Sequence, residues 1–97
     1  MTIIFEVIDK TGRKIRLTKK QWSHINKKHP QVAKNQEEIR NALINPLKIT
    51  KPYEGTKHYY YKYFKHNNPT EKYLKVIVNY LNGEGFIITA LFDRNIK

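Results

Sequence analysis

Residues 72–92, KYLKVIVNYLNGEGFIITALF, decide the fold of this chain. Two runs rich in β-branched and aromatic residues flank the sequence Asn-Gly-Glu-Gly at 82–85. Such runs favour strands, and an Asn-Gly pair between them is a strong signal for a tight hairpin turn. The stretch therefore predicts two long antiparallel strands. Because the second of them is so apolar, we expect it to occupy a central position in the sheet.

Two more strands are predicted immediately before this hairpin. The runs LKITKPY at 47–53 and KHYYYKYF at 57–64 contain the same residue types. Turn-forming residues at 54–56 and a polar loop at 65–70 separate these runs from each other and from the hairpin. Together the four runs predict an antiparallel meander.

Alternation along two of these strands assigns their side chains to the two faces of the sheet, since successive side chains point in opposite directions. In the second strand of the meander, one face receives Tyr59, Tyr61 and Tyr63, and the other receives His58, Tyr60, Lys62 and Phe64. In the last strand, one face receives Phe86, Ile88, Ala90 and Phe92, and the other receives Ile87, Thr89 and Leu91. We expect one aromatic set to pack under helices and the other to be exposed, where rings can stack on unpaired bases.

The N-terminal part of the chain predicts a hairpin and then a helix. Apolar residues alternate on either side of the turn at 9–12, where Gly12 can adopt the positive φ of a tight turn. Thr18 is a good helix N-cap, and Gln21 follows it at the spacing of a capping box. The first helix is therefore expected over 19–28.

A second helix is predicted after Asn35. Two glutamates in its first turn complement the helix dipole, an apolar stripe follows, and Pro46 ends the helix. The fold class is therefore α+β, with an N-terminal β-hairpin and two helices packed on one face of a four-stranded antiparallel meander. A chain of 97 residues can form only one core, so we expect a single domain over 1–97.

The net charge of the chain narrows the class of molecule that it is expected to bind. The chain has 19 Lys and Arg against 8 Asp and Glu, a net charge of +11, and such an excess favours binding to a polyanion such as a nucleic acid. There is no cysteine, so disulfides and thiolate chemistry are excluded. No run is long and apolar enough for a membrane span, and a charged N-terminal sequence argues against a signal peptide. We therefore expect a cytoplasmic protein.

Candidate chemistry is concentrated in the first predicted helix, within TKKQWSHINKKHPQ at 18–31. At 100° per residue, Trp22, Ile25 and His29 share the stripe that faces the core, whereas His24 lies on the opposite side among lysines. The two histidines are five residues apart, and no third ligand is evident, so the spacing does not fit a zinc site. No metal and no cofactor are expected.

Two interpretations of these histidines remain open. In one, His24 is a solvated surface residue, and His29 caps the end of the helix. In the other, the two imidazoles exchange protons during metal-free cleavage of RNA, in which a base activates the 2′-hydroxyl, an acid protonates the leaving oxygen and lysines stabilise the charge on phosphorus.

The order of motifs favours the second interpretation. WSHINKKHP on an early helix, then YLKVIV, then GFIITA in a closing strand resemble the phage-type nuclease domains of the barnase, EndoU, colicin and RelE-like superfamily, with its BECR fold. The resemblance implies metal-independent cleavage of RNA, as in toxins and effector domains. It also implies that His24, His29 and Thr89 are catalytic. Gln31 and Leu91 stand where similar sequences carry an acid and a tyrosine, which keeps open a non-catalytic member.

The leading hypothesis is therefore a metal-independent endoribonuclease. The predicted nucleic-acid-binding residues are Lys20, Lys27, Lys28, Tyr60, Lys62 and Lys75. One alternative is a nucleic-acid-binding module without catalysis, which uses the same basic face and exposed tyrosines. Another is an interaction domain whose charge meets an acidic protein, such as an antitoxin or immunity protein.

Overall fold

A computed structural model of the protein describes residues 2–52 and 54–96. Along these residues two strands are followed by two helices and then by four strands: β1 (Ile3–Ile8), β2 (Lys14–Thr18), α1 (Lys19–Lys28), α2 (Gln36–Ile44), β3 (Lys48–Thr50), β4 (Lys57–Tyr63), β5 (Tyr73–Leu81) and β6 (Glu84–Asp93). Short 3-10 turns at Pro30–Val32 and Pro69–Glu71 interrupt the connections before α2 and before β5. The predicted bounds of the first helix are confirmed.

All the strands belong to one sheet of order β1-β2-β6-β5-β4-β3, in which only β2 and β6 pair in parallel. The α+β class and the central position of the last strand are confirmed. The expected four-stranded antiparallel sheet is corrected to a mixed sheet of six strands, because the N-terminal hairpin joins the meander edge to edge along β6. A parallel pair needs a long crossover connection, and here both helices and three strands provide it.

The two helices pack on one face of this sheet. Thr18 caps α1, since its hydroxyl accepts a hydrogen bond from the Gln21 backbone N–H at 3.1 Å. Burial of the apolar side of each helix removes it from water and supplies most of the stability of such short helices. The core contains Ile25 of α1, Ile39, Ala42 and Leu43 of α2, and Ile15, Leu17, Leu74, Val76, Val78 and Ile87 of the strands.

A bulge in β6 changes the predicted faces of that strand. Ile77 pairs with Thr89 and Val78 pairs with Ile87, so Ile88 is an extra residue on the β6 side. The alternation therefore shifts at this point, and Ile87 lies on the helix-covered face together with Ala90. The expectation that Ile87 faces away from Ala90 is wrong, because strict period two does not anticipate a bulge. The side chain of Gln21 donates to the Ile88 carbonyl, which ties α1 to the bulge.

The other face of the sheet, the open face, has no helix on it among the described residues. Its central positions are occupied by Tyr59, Tyr61, Tyr73, Lys75, Ile77 and Thr89, which alternate with the core residues of β4, β5 and β6. Within the described part of the chain, no helix is long and apolar enough to cross a membrane.

Candidate functional site

The outward side of α1 carries a shallow depression of about 320 Å³ lined by His24, Lys27 and Lys28. The three residues lie at spacings of three and four along the helix, so they share one surface. All three are exposed, as expected for His24 from its position opposite Trp22. Lys20 is also exposed, one helical turn before His24. We name the surface formed by Lys20, His24, Lys27 and Lys28 the α1 cationic patch.

The lysines of the α1 cationic patch have no acidic partners among the described residues. The ion pairs of the described residues lie outside this patch. They join Lys14 and Arg16 to Glu6, Arg16 to Glu84, Arg40 to Glu37, and Lys75 to Asp93. Three lysines without a described ion pair therefore share the surface of one helix with one imidazole, and two of them line the same depression as that imidazole. Such a group of charges attracts an anion, and a phosphate is the anion that matches the predicted substrate.

His29 occupies the C-cap of α1, next to the α1 cationic patch but outside the lining of the depression. Its backbone N–H donates to the Ile25 carbonyl at 2.7 Å. The side chain is half-buried, and this burial lowers the pKa of the His29 imidazole; the charge of Lys28 lowers it further. His29 is therefore neutral at pH 7, the form that accepts a proton. The structure does not bring the rings of His24 and His29 into one depression.

Thr89 lies elsewhere. Its partner in the ladder, Ile77, alternates with the core residues Val76 and Val78, so Thr89 belongs to the open face, while α1 covers the opposite face. No hydrogen bond among the described residues joins Thr89 to either histidine of α1. The structure therefore does not assemble His24, His29 and Thr89 into one site, and a catalytic role for Thr89 stays a prediction.

Two predicted nucleic-acid-binding residues need correction. Tyr60 is fully buried in the helix-side core and offers no ring to a base. Lys75 is only 6% exposed, and its ammonium group lies 3.1 Å from the Asp93 carboxylate and 5.2 Å from the centroid of the Tyr59 ring. Its charge is already neutralised. Both residues were predicted from their type and from the alternation of strand faces. These two criteria cannot reveal a partner that lies far away in the sequence.

Lys62 is different, because its described partners are uncharged. Its ammonium group donates to the side-chain oxygen of Asn41 at 3.2 Å and lies 6.0 Å from the centroid of the Phe64 ring. Lys62 is partly exposed near α2, and no carboxylate of the described residues forms an ion pair with it. It remains a candidate for contact with a phosphate, on a different element from the α1 cationic patch.

Asp9 is the centre of a second group of ionisable residues, which is buried. One of its oxygens accepts hydrogen bonds from the backbone N–H and hydroxyl of Thr11 at 3.0 and 2.7 Å and from the backbone N–H of Arg13 at 2.8 Å. The other oxygen lies within hydrogen-bond distance of the hydroxyls of Tyr60 and Tyr80, which are also within hydrogen-bond distance of each other. The two hydroxyl protons make two of these three bonds at a time. We name these residues the Asp9 network.

The pKa values within the Asp9 network follow from the burial of its residues and from the hydrogen bonds between them. Burial alone would raise the pKa of Asp9, but the hydrogen bonds from Tyr60, Thr11, Tyr80 and the Arg13 backbone outweigh it and lower the pKa. Burial raises the pKa of Tyr80 to about 12, and it raises that of Tyr60 further. The carboxylate stays ionised and both phenols stay protonated at pH 7, so the network holds its protons in place.

A second depression, of about 370 Å³, opens on the other side of the 3-10 turn at Pro30–Val32. Half of its eight lining residues carry side-chain amides: Gln31, Asn35, Asn67 and Asn68. We name it the amide cleft. Sequence reasoning missed it because its walls come from three separate segments, at 31–35, 64–71 and 92. The only local signal is the Asn67-Asn68 pair in a polar loop.

The described residues contain no cluster of three or more His, Asp or Glu side chains that could hold a metal ion. Comparisons of the chain with models of protein families, with curated proteins and with solved structures gave no match.

Proposed function

We propose that this protein is an endoribonuclease that acts at the α1 cationic patch by attack of the 2′-hydroxyl group. The observation that carries the proposal is that one imidazole, His24, lies in the same depression as the unpaired ammonium groups of Lys27 and Lys28. A proton-transfer group beside two cations supplies what the cleavage of a phosphodiester needs, namely acid–base exchange and stabilisation of negative charge.

The proposed reaction needs no group beyond those of the chain and the RNA. The 2′-oxygen forms a bond to the adjacent phosphorus, and the bond from phosphorus to the 5′-oxygen breaks. One neutral imidazole accepts the 2′-hydroxyl proton, and a protonated group returns a proton to the 5′-oxygen. We assign this exchange to His24, whose imidazole accepts the 2′-hydroxyl proton and then, in its protonated form, returns a proton to the 5′-oxygen. We assign stabilisation of the charge on phosphorus to Lys27 and Lys28. His29, outside the depression, stays a predicted acid–base residue.

Incubation of the purified protein with single-stranded RNA in EDTA tests this activity directly. We expect fragments that end in a 2′,3′-cyclic phosphate, because attack by the neighbouring hydroxyl leaves that ring. The matched control is the same RNA with a single 2′-deoxy nucleotide at a cut site, where cleavage should disappear at that position alone. Intact RNA after incubation with folded wild-type protein would overturn the proposal.

A second candidate function is binding of single-stranded RNA without cleavage. It is favoured by the separation of His24 from His29 in the structure and by the ring of Tyr63, which is 49% exposed at the end of β4. Salt-dependent binding of RNA that stays intact would support this candidate. An acidic protein, such as an antitoxin or immunity protein, would compete for the same lysines, and we keep it as a proposed partner in either case.

A further inference from the structure

The amide cleft differs from the α1 cationic patch in its charge. The chain carries a net charge of +11, yet among the residues that the structure describes no Lys or Arg side chain lines this cleft, and the titratable side chains in its lining are His66 and Glu71. A phosphate would meet the Glu71 carboxylate there without a described lysine or arginine to offset it. The cleft is therefore suited to a polar ligand that carries no charge, or to the uncharged part of a larger anion.

Hydrogen-bonding groups in the amide cleft are largely free to meet such a ligand. The side chains of Gln31 and Asn68 are exposed and make no hydrogen bond to other described residues. Asn67 uses its amide N–H₂ group on the Glu71 carbonyl at 2.9 Å, which fixes the side chain and leaves its oxygen as an acceptor. Donors and acceptors on planar amides match the edges of nucleobases, which present the same groups in a plane.

An aromatic wall completes the amide cleft. Phe64 and Phe92 both line it, with ring centroids 5.4 Å apart and planes at 89°. The two rings are half-buried and hold each other edge to face, so their positions are fixed by packing. Aromatic side chains are the usual surfaces on which unpaired bases stack in complexes with RNA. A planar heterocycle can therefore gain contact with a ring and hydrogen bonds with the amides together.

The volume of the amide cleft and its position beside the end of α1 agree with the binding of a planar heterocycle. About 370 Å³ lies at the lower end of the range of roughly 300–1,000 Å³ found for small-ligand sites. Gln31 in the cleft follows Lys28 by three residues. At 3.80 Å per step, the Cα atoms of these residues lie within about 11 Å of each other. A strand whose phosphate rests on the α1 cationic patch can therefore place a nearby base in the cleft.

We infer that the amide cleft binds one unpaired base of a single-stranded RNA whose backbone lies on the α1 cationic patch. This inference rests on the proposed function and names its substrate class. Bases in a duplex are paired and stacked, so they cannot enter the cleft without leaving the helix. Single-stranded RNA is then preferred over duplex RNA, and the position of the cut depends on the base held by Gln31 and Asn68.

Binding of uncleavable oligonucleotides tests the inference. The probes are a 12-nucleotide 2′-O-methyl RNA of mixed sequence and an oligonucleotide of equal length and charge that has no bases. The test protein is the double variant Gln31→Ala with Asn68→Ala, and the matched control is Asn45→Ala, an exposed amide at the end of α2 and outside the cleft. Thermal melts of all variants check that each one folds like wild type.

We expect the double variant to bind the mixed-sequence probe about tenfold more weakly than wild type, because base-edge contacts are lost. It should bind the abasic probe as wild type does, and Asn45→Ala should bind both probes normally. Equal binding of the mixed-sequence probe by the double variant and wild type would overturn the inference, and so would equal weakening for both probes. If wild type binds neither probe, the proposed function is wrong, and the inference of a base-binding site is then wrong as well.

Discussion

The Asp9 network and the α1 cationic patch are both groups of polar side chains, but only one of them has all its partners. In the network, Asp9 is 5% exposed; one of its carboxylate oxygens accepts hydrogen bonds from Thr11 and Arg13, and the other is within hydrogen-bond distance of the Tyr60 and Tyr80 hydroxyls. In the patch, His24 and its lysines are exposed and have no described carboxylate beside them.

This difference separates stability from function. A buried group with every hydrogen bond made is costly to disturb and has no capacity left for a ligand. Exposed, unpaired cations add little to stability, because solvent screens them, but they remain available to a phosphate. Substitutions in the Asp9 network should therefore change folding, and substitutions in the α1 cationic patch should change binding and cleavage.

The largest expected effect is that of Asp9→Ala on stability. This change removes the acceptor that the hydroxyls of Tyr60 and Tyr80 share. One hydroxyl can still donate to the other, so one buried donor is left without an acceptor, at a cost of roughly 1–3 kcal/mol, and the bonds from the turn are lost as well. We expect the free energy of unfolding to fall by at least about 3 kcal/mol, measured by urea denaturation.

Asp9→Asn is the matched control for that change. The amide keeps the shape of the side chain, and it can accept from Thr11 and Arg13 while its N–H₂ group donates to a phenol. Asp9→Asn should lose clearly less free energy of unfolding than Asp9→Ala. A loss below about 1 kcal/mol for Asp9→Ala would mean that the network does not stabilise the fold.

Stability should also depend on pH, in two steps. The pKa of His29 is lowered in the folded state, so the unfolded chain binds more protons, and stability falls as the pH drops below the usual histidine value of about 6.5. The pKa values of Asp9 and Asp93 are also lowered, so a second loss follows as the pH drops below the usual aspartate value of about 3.9.

Melting temperatures between pH 8 and pH 3 should show both steps. In His29→Gln the step near neutral pH should vanish, and in Asp9→Asn the acid step should become smaller. A melting temperature that is the same at pH 7 and pH 5 in wild type would contradict the assignment of a neutral, half-buried His29.

A smaller effect is expected on the salt dependence of RNA binding. Each lysine that neutralises a phosphate of single-stranded RNA contributes roughly 0.7 to the slope of log affinity against log salt. Replacing Lys20, Lys27 and Lys28 by Gln should therefore flatten the slope by about two units. Lys48, Lys51 and Lys57 are exposed lysines near the β3 edge, and replacing these three by Gln is the control with the same change in charge. Equal flattening in both triple variants would show that RNA binding depends on the net charge of the protein and not on where its lysines lie.

Local signals in the sequence predicted the elements of the fold well. The capping pattern at Thr18 and Gln21 gave the first helix, and the apolar run after Gly85 gave a central strand, because both depend on residues close together in the chain. The parallel pairing of Ile15 with Gly85 was not predicted, since nothing near either residue encodes a partner 70 residues away.

The candidate site was predicted only in part, for the same reason. The helical spacing of His24, Lys27 and Lys28 predicted one surface, which the structure contains. The exposure of Tyr60 and Lys75 was predicted wrongly, because it depends on Asp9 and Asp93, which come from distant segments. The amide cleft was not predicted at all, since its residues meet only in the folded chain.

The assignment of RNA cleavage to the α1 cationic patch is tested most directly by the rate of cleavage in His24→Ala. The control is His58→Phe, which removes another imidazole but keeps a ring edge to face with Tyr80, where the centroids are now 4.8 Å apart. Because His24 is exposed, His24→Ala should change the free energy of unfolding by less than about 0.5 kcal/mol, yet it should slow cleavage roughly 100-fold or more. His58→Phe should cut at the wild-type rate. Cleavage by His24→Ala as fast as by wild type would contradict the account.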